Sequence, residues 1–255
     1  MPARPYILAE TNWKEVKSQS YKVAILPWGA TEAHNYHLPY ATDNIQCDFV
    51  AAKAAGIAWN AGAKIIVLPL VPFGVNTGQM DVPLCLNMSP STQLALLMDL
   101  VQVLTAHDID KLLILNGHGG NNFKSMIREL SMPYPEVFVC SANWFNASDQ
   151  GSIFHEPGDH AGEMETSCIM HIAPDWVLDL GEAGTGAAKQ FKIDGLKQGW
   201  VIAQRAWTQV TEDTGVGDPS RSTADKGRVY LDQSAKEIAR FLIQLASYEN
   251  TDLYE

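Results

Sequence analysis

Short apolar runs recur along the chain and stop at glycine, asparagine or histidine. Lys22–Pro27, Ala63–Leu68, Lys111–Leu115 and Val137–Cys140 are the four. Their hydrophobic residues are consecutive rather than alternating, which predicts strands covered on both faces. Between them the spacing changes to three and four. Ser91–His107 places Leu94, Leu97, Val101 and Leu104 on one helical face. Thr223–Glu249 does the same with Leu231, Ile238, Phe241, Leu242 and Leu245. Asn44–Trp59 carries Ile45, Phe49, Ala52 and Ile57 on a predicted inner face. Asn121–Leu130 and Gly162–Ile172 complete the helices, the latter ended by Pro174. Strand and helix in alternation predict an α/β fold with a mostly parallel central sheet and helices on both faces. Two segments lack any period: Val71–Pro90, rich in Pro, Gly and Asn, and Gly181–Ser222, with its Gly215-Val216-Gly217-Asp218-Pro219 piece. Loops of that length in a compact domain are functional or disordered, and the second reads as a lid or a subunit contact. No repeat or linker interrupts the pattern, so residues 1–255 are expected to form one domain.

Composition narrows the function classes. Hydrophobic residues make up 46% and charged residues 18%, a globular profile. The net charge of -11 repels a phosphate backbone and argues against a general nucleic-acid binder. Cys47, Cys85, Cys140 and Cys168 are far apart and form no CxxC pair, so they are expected to be reduced thiols of a cytoplasmic protein. The amino-terminal MPARPYILAETNW has no apolar core of a signal peptide. No apolar run approaches the roughly 18 residues of a membrane span.

Candidate chemistry gathers where the runs end, as ligand sites do in open α/β sheets. After the first comes Gly29–Pro39, with Glu32, His34 and His37, and then Asp43. After the third comes Asn116-Gly117-His118-Gly119-Gly120-Asn121-Asn122. Asp159–Ser167 holds His160, Glu163 and Glu165. Imidazoles and carboxylates together suit zinc, manganese or iron. Paired metals share a bridging carboxylate, and Asp43 is the natural bridge. Glu163, two residues from Glu165, is expected to face away, as an outer residue or a solvated one. His107, His155 and His171 join no constellation. A serine-hydrolase elbow is missing, and Asn116–Gly120 lacks the lysine of a phosphate loop. Trp144, after the fourth run, reads either as core or as an apolar wall for a planar substrate.

These segments, taken in order, resemble the creatininase (creatinine amidohydrolase) family. Its Glu-x-His-Gly-x-His-Leu-Pro followed by Thr-Asp is matched by Glu32–Pro39 with Thr42-Asp43. Its Asn-Gly-His-Gly-Gly-Asn is matched by Asn116–Asn121, and its His-Ala-Gly-x-x-Glu-Thr-Ser by His160–Ser167. Gly217-Asp218-Pro219 and Lys226-Gly227-Arg228 are also similar to the family, so the likeness runs from about residue 21 to 240. It implies a three-layer αβα fold, hydrolysis of a non-peptide C–N bond in a cyclic or small amide, and two divalent ions per subunit, Zn and/or Mn with Fe as a third option. By position, Glu32 and His118 would hold one metal and His34 and Glu165 the other, with Asp43 bridging. His160 would be the catalytic histidine, and Gly119 and Trp144 would line the substrate pocket. A homo-oligomer is implied too, a hexamer in the family's usual form.

The chain departs from the family at three places. Asn35 replaces a glycine. Gly120 stands where creatinine-cleaving members carry a metal-binding glutamate. The Phe154–Gly158 loop lacks a tryptophan expected before His160. Other members with Asn-Gly-His-Gly-Gly-Asn resemble deformylases of a formylamino-pyrimidine nucleotide or peptide-processing amidases of cofactor maturation. A deformylase predicts a basic pocket, built from Lys124, Arg128, Lys189, Lys192, Lys197, Arg205 or Arg221. A non-catalytic metal-binding protein predicts a closed site with four protein ligands per metal, whereas three are counted for each here.

Overall fold

Val23–Trp28 (β1), Ile65–Val67 (β2), Lys111–Asn116 (β3) and Phe138–Asn143 (β4) pair in the order β2-β1-β3-β4, every pair parallel. This is the arrangement in a computed structural model that describes residues 3–156 and 158–255. Met1 and Pro2 of the amino-terminal stretch, and Pro157 of the loop before His160, lie outside the described residues. The helices are α1 (Trp13–Val16), α2 (Thr42–Asn60), α3 (Pro90–Thr105), α4 (Lys124–Leu130), α5 (Glu163–Ile172), α6 (Asp194–Lys197), α7 (Trp207–Val210) and α8 (Ala224–Ser247).

The consecutive apolar runs are strands because alternate residues serve two cores. Val23 and Ile25 of β1, Ile65 and Val67 of β2, and Leu113 and Leu115 of β3 face one layer, with α2 and α8. Ala24, Leu26, Trp28, Ile66, Leu112 and Ile114 face the other, with α3 and α4. Each fully buried Ile or Leu of this kind contributes about 1.5–3 kcal/mol. The expected three-layer architecture is therefore present.

Two predicted helix faces need correction. In α2 the inner face is Cys47, Val50, Ala51, Ala54, Ala55 and Ala58, and Ile57 is exposed. Small side chains let this helix lie close to the sheet, so the larger apolar residues are displaced outward. In α8, Leu242 is buried but Phe241 is exposed. The Gly181–Ser222 segment is also less irregular than expected, since it contains α6 and α7. No helix among the described residues is long and apolar enough to cross a membrane.

This topology positions the site. The chain goes from β1 to β2 on one side, then to β3 on β1's other side. The two connections diverge, and a crevice opens beyond the carboxyl ends of β1 and β3. The Gly29–Asp43 and Gly117–Phe123 segments leave those two ends, and the first turn of α5 is brought beside them.

Candidate metal centre

Each candidate ligand has a local reason for its place. Glu32 and His34 lie in the turn that leaves β1. Asn35 has a φ of 53°, a left-handed conformation in which asparagine is the usual substitute for glycine. Its side-chain oxygen accepts from Gly184 N at 2.8 Å, and its amide donates to Gly184 O at 3.1 Å. Asparagine thus preserves the turn and ties it to the 181–222 segment. Asp43 enters from the first turn of α2. His118 is fixed by Asn116, whose Oδ1 accepts from His118 N at 3.2 Å and whose Nδ2 donates to His118 O at 2.8 Å. Glu165 enters from α5.

The five ligand candidates converge. His118 Nδ1 lies 2.8 Å from Glu32 Oε1 and 3.0 Å from Asp43 Oδ2. His34 Nε2 lies 3.1 Å from Asp43 Oδ1 and 3.9 Å from Glu165 Oε1. Asp43 therefore turns one oxygen to each histidine. The Glu32–Asp43–His118 and His34–Asp43–Glu165 groups each bring three ligand atoms close enough to hold one ion. A third grouping of Glu32, His34 and His160 overlaps them.

The histidine tautomers follow from their outer contacts. A carbonyl oxygen can only accept, so the ring nitrogen facing it carries the proton. His34 Nδ1 faces Glu32 O at 3.1 Å, and His118 Nε2 faces Val75 O at 3.1 Å. The opposite nitrogen of each ring points into the carboxylates, where it can bind a metal once it has lost its proton. Metal-ligating histidines have this arrangement, a backbone carbonyl fixing ring and tautomer. His160 Nε2 likewise donates to Ala33 O at 2.8 Å. Its Nδ1 lies 3.9 Å from Glu32 Oε1.

The electrostatics ask for cations. Glu32 and Asp43 are at most 2% exposed, and among the described residues neither they nor Glu165 form an ion pair with lysine or arginine. Burial raises Glu165, opposed by the positive charge of His34. Asp43 is held well below the usual carboxylate range: burial opposes this, but His34 and His118 outweigh it. His34 is pushed up to about 10, because the surrounding carboxylates overcome the cost of burial. His118 is raised for the same reason. In the metal-free protein, protons on these rings balance the carboxylates. His160 is lowered by burial and by His34, and so stays neutral.

Above the ligands is a cavity of about 460 Å³, lined in part by Gly119, Gly120, Phe145, Asn146, Arg205 and Trp207. Gly119 lies in the wall. Trp144 does not: it is fully buried, 5.8 Å from the Tyr230 ring and 6.1 Å from Phe145. The wall is formed by its neighbour Phe145, because Trp144 turns back into the core. Glu163 is not solvated. It is buried, pairs with Lys226, and accepts the backbone amides of His155 and Glu156 at 2.7 and 2.8 Å. It anchors the loop that leads to His160. Among the described residues His37 joins no metal group; its Nε2 lies 2.9 Å from Thr166 Oγ1.

Two contributors come from the aperiodic segments. Gln79 donates to Glu32 Oε2. Trp207 sets its ring edge-on to His160, with centroids 5.2 Å apart. No sequence motif marks either residue, and only the folding of long loops over the crevice brings them in.

The Creatininase family model, described as creatinine amidohydrolase, matches residues 9–242. A mycofactocin precursor peptide peptidase of Mycobacterium ulcerans (strain Agy99) is 28% identical over 85% of this chain and 84% of its own length. The crystal structure of a provisionally assigned creatinine amidohydrolase from Bacteroides fragilis NCTC 9343 superposes with a TM-score of 0.92. It shares 43% identity and covers 98% of this chain and 99% of that one. A creatininase variant in a Zn–Zn form superposes at 0.78 with 20% identity, over 96% of this chain and 100% of that one, a likeness of fold. With a family model matching almost its whole length, this chain belongs to the creatininase family, whose members are hydrolases.

Proposed function

We propose that this chain is an amidohydrolase that uses two divalent metal ions to cleave a C–N bond of a small amide. One observation carries the reading: Asp43 directs one carboxylate oxygen to the Glu32–His118 pair and the other to the His34–Glu165 pair. Donor chemistry supports the fit. Three carboxylates and two neutral imidazoles suit zinc or manganese, with iron as a third option. Bound at these positions, the cations would polarise the scissile carbonyl and lower the pKa of water toward about 7.

The remaining tasks fall to the protein's own groups. His160 has its proton on Nε2, held by Ala33 O, and an open lone pair on Nδ1 facing the site. Nδ1 can accept a proton and return it to the leaving nitrogen. Gly119, where a Cβ would meet nothing within 4 Å, keeps the wall bare, so substrate can approach the backbone closely. Trp207 covers the outer side of His160 and excludes water there.

The deformylase reading receives less support. Of the seven cations it called on, only Arg205 lines the cavity, among Glu156, Asp159 and Glu163. A phosphate dianion calls for more than one cationic partner, and Arg205 is the one lysine or arginine of the wall among the described residues. A homo-oligomer is part of the reading; Trp176, Leu178, Ile193, Trp200 and Ile202 are all more than half exposed, as an apolar subunit contact requires.

The test is turnover. Protein loaded with zinc or manganese is incubated with lactams, N-formyl compounds and N-acyl dipeptides, and release of amine is followed. The expected result is amine from at least one class, reduced about a hundredfold or more in His160→Ala. No amine from any class would overturn the proposal.

A further inference from the structure

We infer that Arg205 is a carboxylate-binding residue, and that the substrate is an amide bearing a free carboxylate. The inference rests on the amidohydrolase reading and names its substrate class. Among the described residues the cavity wall contains six carboxylates, from Glu32, Asp43, Glu156, Asp159, Glu163 and Glu165, and one lysine or arginine, Arg205. A neutral substrate would have no use for a guanidinium there.

Arg205 is built into place. Its Cζ stacks 4.5 Å from the centroid of the Trp207 ring, the ring that meets His160 edge-on. Trp207 in turn is fixed by its Nε1 donating to Thr214 O at 3.0 Å. The backbone beneath is equally constrained. A Cβ on Gly78 would come within 2.2 Å of Arg205 O, so the turn at Gly78 needs glycine to let the Gln204–Arg205 segment lie over the cavity. The stack leaves the guanidinium edge free to hydrogen-bond. Of its donors, Nη1 reaches Asp159 Oδ2 at 3.0 Å, while Nη2 and Nε have no protein acceptor among the described residues. Asp159 is more than half exposed, so it holds the arginine without saturating it. A planar carboxylate can then take two parallel donors from the same fork.

The chemistry has two sources: the carboxyl terminus of a peptide and the carboxylate of a small N-acyl amino acid. The experiment uses both. N-acyl dipeptides and N-formyl amino acids are each prepared as free acid and as carboxamide. kcat/KM on the metal-loaded enzyme, and binding by calorimetry, are measured for every pair. The expected result is a preference for the acid of about tenfold or more, the scale of a charge-assisted hydrogen bond at a partly exposed site. The family with the larger preference identifies the source. Arg205→Gln brings the ratio to about one, Arg205→Lys keeps part of it, and Asp159→Asn increases it by freeing a donor. An unchanged ratio in Arg205→Gln, or equal use of acid and carboxamide by the wild type, would overturn the assignment. If nothing is hydrolysed the amidohydrolase reading fails, and the calorimetric ratio alone decides on Arg205.

Discussion

Val75 O and Gly120 together set the orientation of His118. The carbonyl takes the Nε2 proton, and the missing side chain leaves room for that contact. A Cβ on Gly120 would lie 2.4 Å from His118 Nε2 and 2.5 Å from Val75 O. The space a side chain at position 120 would need belongs to that hydrogen bond. Gly120→Ala is expected to weaken metal binding by about 10–100-fold, the range for loss of an outer contact to a ligand histidine. Gly119→Ala, whose Cβ would meet nothing within 4 Å, is expected to leave metal affinity unchanged. Competition with a chromophoric chelator measures both. At this scale the sequence was informative where ligand types and spacing coincide, as for Glu32, His34, Asp43, His118 and Glu165. It was silent on Val75 O, because a backbone carbonyl has no sequence signature. It left Trp144 open between core and pocket wall, because nothing in the chain says which way a ring after a strand will turn.

The elements deliver these residues through close packing, most tightly between α5 and α8. A Cβ on Gly227 of α8 would lie 2.0 Å from Ser167 O of α5. The helices meet backbone to backbone, and α5 carries Glu165 into the site. Thr223 caps α8, its side chain accepting from Lys226 N at 3.3 Å, and Lys226 reaches back to Glu163 of α5. Gly227→Ala forces the pair apart. The expected cost is about 1–3 kcal/mol, read as a Tm lowered by roughly 2–4 °C per kcal/mol for a chain of this size. An unchanged Tm would contradict the account of this contact. Strands and long helices were legible because their apolar periods are forced by two buried layers. The inner face of α2 was not, since its contacts come from alanines too weakly patterned to stand out. The role of residues 181–222 was hidden for a different reason: Asn35 holds the segment from far away in sequence, and Asp213 and Trp207 tie it to itself, through hydrogen bonds to backbone groups.

At the scale of the molecule, the sheet order places two loops and one helix start at a single crevice. Glu32, Asp43 and Glu165 bring three carboxylates together there. The exposed apolar side chains Trp176, Leu178, Ile193, Trp200 and Ile202 are not part of the cavity lining and belong to segments that follow α5. As a subunit contact they predict a light-scattering mass several times the 28.0 kDa of one chain. The double variant Trp200→Ser, Ile202→Ser should lower that mass. A monomeric wild-type protein would contradict the oligomer. The overall architecture was readable because strand–helix alternation admits few topologies. The substrate was not, because it depends on which side chains of aperiodic loops reach the cavity.

The central claim is that Asp43 joins two metal positions. The most direct test is metal content per chain by elemental analysis, for wild type and Asp43→Ala. Protein is stripped with chelator, reloaded with zinc or manganese and freed of excess. Loading is done at about pH 8, since ligand histidines must lose their protons to bind metal, and His34 and His118 hold theirs tightly in the metal-free site. The account predicts two ions per wild-type chain and loss of both in the variant. A wild-type chain that takes up no ion or one, or an Asp43→Ala chain that keeps two, would contradict it.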